Sequence, residues 1–276
     1  MTPRMLRLLI SILILGWFLG CGGVGSGRKA KGIDGFQFDL RPGSYALYLV
    51  TTTSGNTVRV DVVRSALLSE TDDPATHEKM FWIEHDLIPK SGAPDLSIRK
   101  VKFLAPAKSW AAYLEDPQKN ALDIREIDYQ VEKEPVSKYT KAEDIKLFAT
   151  NFGPGFVVLK DFAQAIKKKA DKVEPTAVKT GSYSATRYDF IVATKERFPD
   201  PKQPELIKVV ETTNTGTLWA ASDVPFGVLK VTAATHTKES FDFGQGIHVT
   251  NAPTEYDQSI SLELQQTGQD AVSLFS

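Results

Sequence analysis

The chain has 276 residues, of which 42% are hydrophobic and 24% are charged, so it is long and apolar enough to bury a sizeable core. Its 33 basic and 34 acidic side chains give a formal net charge of −1, which argues against a dedicated nucleic-acid-binding protein, because such proteins need a concentrated basic surface. The single cysteine, Cys21, excludes an internal disulfide, so the fold must be stabilised by packing.

The first segment has the features of an export signal. Arg4 and Arg7 precede the apolar run Leu8–Leu19, which is followed by small residues. A helix of that run would span about 18 Å, well short of the hydrocarbon core of about 30 Å. A basic start, a short apolar run and a small residue before a break are typical of a signal peptide. We therefore expect residues 1–20 to be removed and the remainder to be exported.

The sequence Phe18-Leu19-Gly20-Cys21 resembles the lipobox of bacterial lipoproteins. The resemblance implies cleavage between Gly20 and Cys21, diacylglycerol on the Cys21 thiol and acylation of the new α-amine. More than one acyl chain is needed for a stable anchor, because a single chain binds a membrane only marginally. Gly22 is not the aspartate that retains lipoproteins in the inner membrane of the resembling enterobacterial system, which favours the outer membrane, facing the periplasm. The alternative is a plain secretory signal with an incidental cysteine.

A glycine-rich stretch follows the cysteine. It lacks the G-x-x-x-x-G-K-[ST] spacing of a phosphate loop, and no predicted strand precedes it. Flexible chain from Gly22 to Gly35 reaches roughly 20 Å, enough to hold a folded domain away from a membrane. We predict a lipidated flexible tether over residues 21–35 and a single β-rich domain over residues 36–276.

Period-two patterning predicts the first strands of that domain. Tyr45–Thr53 and Thr57–Leu67 are expected to form a hairpin, and Met80–Ile88 and Leu96–Ala105 to continue it as an antiparallel meander of about four strands. In the second strand the alternation predicts a half-buried strand, with the valine face expected inside and the charged face in solvent: Val58, Val60 and Val62 against Arg59 and Asp61.

One local cluster has metal-ligand chemistry, formed by His77, Glu84, His85 and Asp86. On a strand, Glu84 and His85 point to opposite faces, so they cannot readily share one ion. We expect solvent-facing polar side chains on an amphipathic strand here, and neither a metal site nor a cofactor.

The middle of the chain predicts a helical insert over about residues 138–172. Thr140 and Glu143 form a capping box for a helix over 140–150, and a second short helix fits 161–171. The second helix ends in a basic run that either is solvated against the helix dipole or contacts anionic lipid head groups: Lys167, Lys168 and Lys169.

The β pattern then returns and predicts five further strands: Gly181–Thr194, Leu206–Thr213, Gly216–Ser222, Gly227–His236 and Gln258–Gly268. Asn214-Thr215-Gly216 suits a tight hairpin, and 240–251 is predicted as either a weak strand or a long loop. In Ser222–Gly227 the turn chemistry of Pro225 predicts the next hairpin, and Asp223 has no evident functional partner. A G-x-S-x-G elbow is absent from the sequence and no nucleophile–base set is evident, so we expect no enzyme.

Three stretches together resemble a group of uncharacterised lipoproteins of diderm bacteria that carry a Trp-x-x-Ser-x-Val-Pro-x-Gly hairpin. The stretches are residues 43–88, 180–231 and 261–275, and the hairpin positions are matched by Trp219, Ser222, Val224, Pro225 and Gly227. More distantly, the layout resembles the periplasmic lipoprotein-carrier and mycobacterial lipid-carrier superfamily. That resemblance implies an incomplete antiparallel β-barrel with short helices over its concave face.

These observations predict an α+β, mainly β, domain built on one curved antiparallel sheet. The function expected from the resemblance is a membrane-anchored envelope lipoprotein, without catalysis, that binds a lipid or other apolar ligand in the half-barrel. The alternative is a structural or assembly lipoprotein that acts through contacts with an envelope protein. Nucleic acid is not expected as a partner.

Overall fold

The computed structural model describes residues 30–31, 37–38, 41–91, 97–109, 123–145, 172–199, 206–243 and 253–275. Within these residues the chain forms strands almost throughout, with short helical segments only at 107–109 and 142–145. The strands are β1 (Ala30–Lys31), β2 (Gln37–Phe38), β3 (Tyr45–Ser54), β4 (Thr57–Asp72), β5 (Lys79–Ser91), β6 (Arg99–Pro106), β7 (Glu126–Val131), β8 (Ser137–Tyr139), β9 (Lys172–Val178), β10 (Gly181–Pro199), β11 (Leu206–Ala220), β12 (Val228–Phe243) and β13 (Thr254–Gly268).

Eleven of these strands form one antiparallel sheet in the order β8-β7-β6-β5-β4-β3-β13-β12-β11-β10-β9. The sheet consists of two meanders, β3 to β8 and β9 to β13, joined where β3 pairs with β13. Because β8 and β9 each lie at an edge, the sheet is open. The small β1–β2 pair forms a separate two-stranded sheet. The prediction of a mainly β domain with one unclosed antiparallel sheet is therefore confirmed.

The inner face of the sheet carries the hydrophobic core. Side chains from both meanders meet there and fill the space between them. The largest fully buried side chains are Tyr48, Leu67, Phe81, Ile83, Phe103 and Phe226. This part of the interior is packed by the protein itself.

The predicted four-strand meander is confirmed as β3 to β6, but the hairpin at Asn214–Gly216 is wrong. Residues 206–220 form one continuous strand, β11, paired along its length with β10 and β12. Close packing requires a glycine at position 216, because a Cβ there would lie 2.6 Å from the Phe190 ring. Of the segment 240–251, the part to Phe243 continues strand β12.

The predicted orientation of β4 is also wrong. Val58 is 52% exposed, whereas Arg59 and Asp61 are buried on the inner face. Alternation shows that two faces differ but not which one is inside, and here an ion pair compensates the buried charges: Arg59 Nε lies 2.7 Å from Asp61 Oδ2. Arg59 is directly opposite Thr52 of β3, so polar side chains continue across the inner face at this end of the sheet.

Several predictions fall outside the described residues. These are the signal peptide 1–20, most of the tether 21–35, the helix 161–171 and most of the helix 140–150. Of the latter, residues 142–145 are helical, and the Ile145 amide donates to the Lys141 carbonyl at 2.9 Å. The covering of the concave face by helices thus stays a prediction. Among the described residues, the helical segments are too short to cross a lipid bilayer.

Candidate functional site

After β13 the chain crosses the outer face of the first meander as a segment, residues 269–275, that we call the strap. It starts beside Gly43, whose carbonyl accepts from the Ala271 amide at 2.8 Å. A side chain at Gly43 would not fit, because its Cβ would lie 2.4 Å from the Gln269 carbonyl oxygen, and its φ is +89°. The glycine therefore permits the close approach that starts the strap.

Beneath the strap lies a charge cluster of Arg64, Glu84 and Asp86. Arg64 Nη1 donates to Glu84 Oε1 at 2.7 Å and to Asp86 Oδ2 at 2.9 Å. Arg64 is paired with Asp86 in the β4–β5 ladder, which brings the three side chains to the same face. All three are buried, so the expectation of solvent-facing side chains is wrong here. Sequence periodicity missed this burial because the covering segment lies almost 200 residues away.

The charge cluster places two carboxylates against one guanidinium. Burial, and then repulsion by Glu84, raise the pKa of Asp86 to about 8, even though Arg64 favours its charged form. One positive charge can neutralise only one of the two carboxylates, so Asp86 holds its proton at neutral pH. The cluster is then electrically neutral overall.

The strap lies over the charge cluster, which forms hydrogen bonds with the strap's main chain and with one of its side chains. Arg64 Nη2 donates to the Val272 carbonyl at 2.5 Å, and the Leu274 amide donates to Glu84 Oε1 at 2.9 Å. The Ser273 hydroxyl donates to Glu84 Oε2 at 2.6 Å. Both oxygens of a fully buried carboxylate are therefore satisfied by Arg64 and the strap together.

Two lysines of β6 extend this contact. Lys100 Nζ donates to the Leu274 carbonyl at 2.5 Å, and Lys102 Nζ lies 5.1 Å from the centre of the Phe275 ring. Lys102 is itself held by Asp128, at 2.9 Å, and by the Trp82 ring, at 4.7 Å. The strap thus meets a surface whose charged groups are already positioned.

On the opposite face of β5, His85 and Ser65 form a buried pair. Ser65 Oγ and His85 Nδ1 lie 3.0 Å apart, and the imidazole packs against the Phe103 ring with centroids 5.8 Å apart. Burial, with a smaller effect of Arg64, lowers the pKa of His85 to about 3, so the ring is neutral at physiological pH. A hydroxyl beside an imidazole is the chemistry of a nucleophile and a base. Here both side chains are buried.

Polar side chains form a row across the inner face, between the core and the far ends of the long strands. Thr235 donates to the Asn214 side-chain oxygen at 2.6 Å, and Gln258 lies opposite Thr235 in the next strand. All three are buried, as are Thr52 and Arg59, which continue the row. The inner face therefore changes from apolar to polar along the strands.

Strands β10 to β12 extend beyond the polar row. Three side chains on this inner face form a surface that we call the inner-face overhang: Phe198, Lys208 and Phe241. Lys208 is paired with both phenylalanines in the ladders, so the three side chains form one row. Phe198 is 44% exposed and Phe241 is 50% exposed, while Lys208 Nζ lies 2.7 Å from Glu239. Phe198 is eight residues from Phe190, which packs in the core, so it faces the same side.

The proline-containing hairpin motif connects β11 to β12. The Gly227 amide donates to the Val224 carbonyl at 2.9 Å, and Phe226 adopts a φ of +63° between them. This geometry is a tight turn with Pro225 at its second position, and it drives Phe226 into the core. Trp219 precedes the turn and donates to Glu174 of β9 at 2.7 Å. Four motif residues thus build the end of the core, and the fifth, Ser222, is exposed.

A groove of about 350 Å³ lies mainly on the outer side of the sheet. Six of its ten lining residues carry hydroxyl groups, and the others are glycine, alanine and isoleucine. The hydroxyl-bearing lining residues are Thr51, Thr53, Thr215, Thr232, Ser259 and Ser261.

The remaining predicted site residues, Gly20, Cys21 and Lys167 to Lys169, lie outside the described part of the chain. Within the described part, three or more His, Cys, Asp or Glu side chains do not come together in an arrangement that could hold a metal ion.

Comparison with known proteins gave no match to a protein-family profile and no match to a curated protein. Among solved structures, a presumptive lipoprotein from Parabacteroides distasonis is similar over 87% of this chain and 100% of its own, at 10% identity and a TM-score of 0.34. A presumptive exported protein with a YmcC-like fold from Bacteroides fragilis is similar over 84% of this chain and 99% of its own, at 8% identity and a TM-score of 0.24. At TM-scores below 0.5, neither likeness establishes a shared fold or function.

Proposed function

We propose that this protein is a lipoprotein of the cell envelope that holds a lipid or other apolar ligand on the inner face of its open sheet, without catalysis. In this proposal Cys21 carries the membrane anchor, residues 22–35 form the tether, and the folded domain faces the periplasm from the outer membrane. The basic and apolar start of the chain and the Gly20-Cys21 junction support the anchor.

The observation that carries the ligand proposal is the inner-face overhang. Large aromatic side chains that stand half-exposed on the same face as a packed core are unusual, since such side chains are normally covered by protein. Phe198 and Phe241 offer an apolar surface at the open end of the sheet. An acyl chain lying across them would remove both rings from water.

The packed part of the interior limits where the ligand lies. Phe81, Phe103 and Phe226 fill the core, so the surface that remains for the ligand is the inner-face overhang beyond the polar row. Lys208, paired with Glu239, stands between the two phenylalanines and provides a polar contact for the ligand's head group. An amphiphile therefore fits this surface better than a pure hydrocarbon does.

The burial of the nucleophile–base contact described above supports the absence of catalysis. Ser65 and His85 are enclosed in the core, and the lowered pKa of His85 leaves the imidazole a very weak base.

The test is lipid extraction from the full chain purified out of bacterial envelopes in a mild detergent. We expect co-purified lipid in the native chain, and at least a fivefold loss in a Phe198→Ser, Phe241→Ser double variant. Ile191→Ser is the matched control, because Ile191 lies on the other face of β10 and is 68% exposed. Equal lipid in the double variant and the native chain, or none in either, would contradict the proposal.

A further inference from the structure

The contact between the strap and the sheet has the composition of a peptide-binding site. The sheet supplies side chains from β4, β5 and β6, and the strap supplies mostly main chain. Arg64 and Lys100 donate to strap carbonyls, and Glu84 accepts from a strap amide. Over β4 to β6 the sheet contacts two strap side chains, the Ser273 hydroxyl through Glu84 and the Phe275 ring through Lys102. At the start of the strap, the Gln269 side-chain oxygen accepts from the Ser44 hydroxyl at 3.2 Å.

The strap is held mainly by these polar contacts, because Phe275 is the one large apolar side chain of residues 269–275 that is partly buried. Val272 is 70% exposed and Leu274 is also exposed, and residues 269–275 pair with no strand. The groups beneath it are charged, so water can hydrate them when the strap lifts. Opening therefore does not uncover the hydrophobic core, which lies on the other face of the sheet.

We propose that the outer face of β4 to β6 is a peptide-binding surface that the strap occupies in cis. Its partner is an extended peptide of another protein that carries a hydroxyl side chain and, two residues later, an aromatic ring. Main-chain contacts give such a surface affinity for any extended peptide, and the contacts of Glu84 and Lys102 give it selectivity. This proposal stands apart from the lipid ligand, which lies on the opposite face.

The charged side chains of the surface already have partners within the sheet, which favours an uncharged peptide. Three basic and three acidic side chains contribute to it, each within an ion pair or hydrogen bond of a neighbour. They are Arg64, Lys100, Lys102, Glu84, Asp86 and Asp128. The recognised part of the strap, Ala271-Val272-Ser273-Leu274-Phe275, correspondingly carries no charged side chain.

The test is fluorescence anisotropy with a labelled peptide of residues 269–276, QDAVSLFS, and the full chain. The native chain binds this peptide weakly, because its own strap competes. A full chain with Ser273→Ala and Phe275→Ala, whose strap is weakened, is expected to bind the native peptide at least tenfold more tightly. A peptide with the same two alanines is expected to bind that chain about tenfold more weakly, and so is the native peptide after Glu84→Gln in the chain.

Two results would overturn the proposal: no binding to a folded weakened-strap chain, or equal binding of the native and the doubly substituted peptide. A stable dimer of the full chain that Ser273→Ala dissociates would show that the occupant is a second copy, which overturns the assignment to another protein.

Hydrogen exchange in the native chain is a second measurement that needs no variant. If the strap opens by itself, the Leu274 amide exchanges faster than the amides paired between β4 and β5, at a rate insensitive to low denaturant. Exchange of Leu274 only through global unfolding would overturn the proposal.

Discussion

Several charged side chains of this protein are buried, and each lies beside a partner of opposite charge. Arg64 stands between Glu84 and Asp86, and Arg59 stands beside Asp61, on opposite faces of the same strand. Burial of a charge is costly unless a partner and hydrogen bonds compensate it. Removing one partner from these clusters should therefore cost more stability than removing one partner from a surface ion pair.

Replacing Arg64 by methionine tests the charge cluster. The variant leaves two carboxylates with no cation beneath the strap, so we expect a loss of about 3–5 kcal/mol in the free energy of unfolding in urea. The matched control is Arg187→Met, because Arg187 makes a more exposed ion pair with Asp189, and it should cost less than about 1 kcal/mol. Equal costs in the two variants would contradict the assignment.

The pH dependence of stability follows from Asp86 and His85. Folded Asp86 keeps its proton up to about pH 8, whereas an ordinary aspartate releases it near 3.8, so Asp86 makes stability fall as pH rises between these values. Folded His85 stays neutral down to about pH 3, against an ordinary 6.5, so His85 makes stability rise with pH over that window.

Between pH 6.5 and 8 the Asp86 effect acts without that of His85. We expect the free energy of unfolding to fall there by about 1–2 kcal/mol, and Asp86→Asn to remove the decline. Urea titrations at several pH values measure it. The same slope in the native chain and the variant would show that Asp86 does not hold its proton.

At the scale of strands, sequence alternation predicts the positions of β3 to β6 correctly but the orientation of β4 incorrectly. The alternation in 57–67 is strict, but valine and charged positions are both compatible with the inside once Arg59 and Asp61 pair with each other. The sequence favours a turn at Gly216 because glycine is common in turns, whereas in the fold the Phe190 ring on the neighbouring strand leaves no space for a side chain there. Both errors depend on contacts with other strands, which one-dimensional patterns do not contain.

The orientation of β4 can be tested with an isosteric pair. Val63 is buried on the inner face and Val58 is on the outer face. A threonine hydroxyl at 63 has to be buried, so Val63→Thr should cost about 1–3 kcal/mol, whereas Val58→Thr should change stability by less than about 0.5 kcal/mol. Thermal unfolding of the two variants decides it, and the reverse order would restore the orientation predicted from the sequence.

The role of Gly216 can be tested in the same strand. Its added methyl group in Gly216→Ala would lie 2.3 Å from the Thr232 carbonyl and close to Phe190, so the strands must move apart. We expect a loss of at least about 2 kcal/mol, against less than about 0.5 kcal/mol for the exposed neighbour in Thr215→Ala. A Gly216→Ala variant as stable as Thr215→Ala in urea would show that the packing is not tight.

At the scale of the whole molecule, the sequence predicted a mainly β, open antiparallel sheet, and the structure shows it. The sequence did not predict that β3 and β13 join two meanders, or that the strap would cover Glu84. These features connect residues about 190 to 220 positions apart, and local patterns have no information at that distance. The cavity beneath helices that the sequence predicts involves residues outside the described part of the chain. The described part exposes the aromatic rings of Phe198 and Phe241.

The central claim, a lipid-anchored protein that carries a second, non-covalent lipid, is tested most directly by comparing native and denaturing mass spectra of the full chain purified from bacterial envelopes. The denaturing spectrum should show cleavage before Cys21 and the mass of covalent acyl chains, which Cys21→Ser should abolish. The native spectrum should show one further lipid per chain that denaturation removes. Identical masses in the two spectra, or a chain that retains residues 1–20 without acyl groups, would contradict the account.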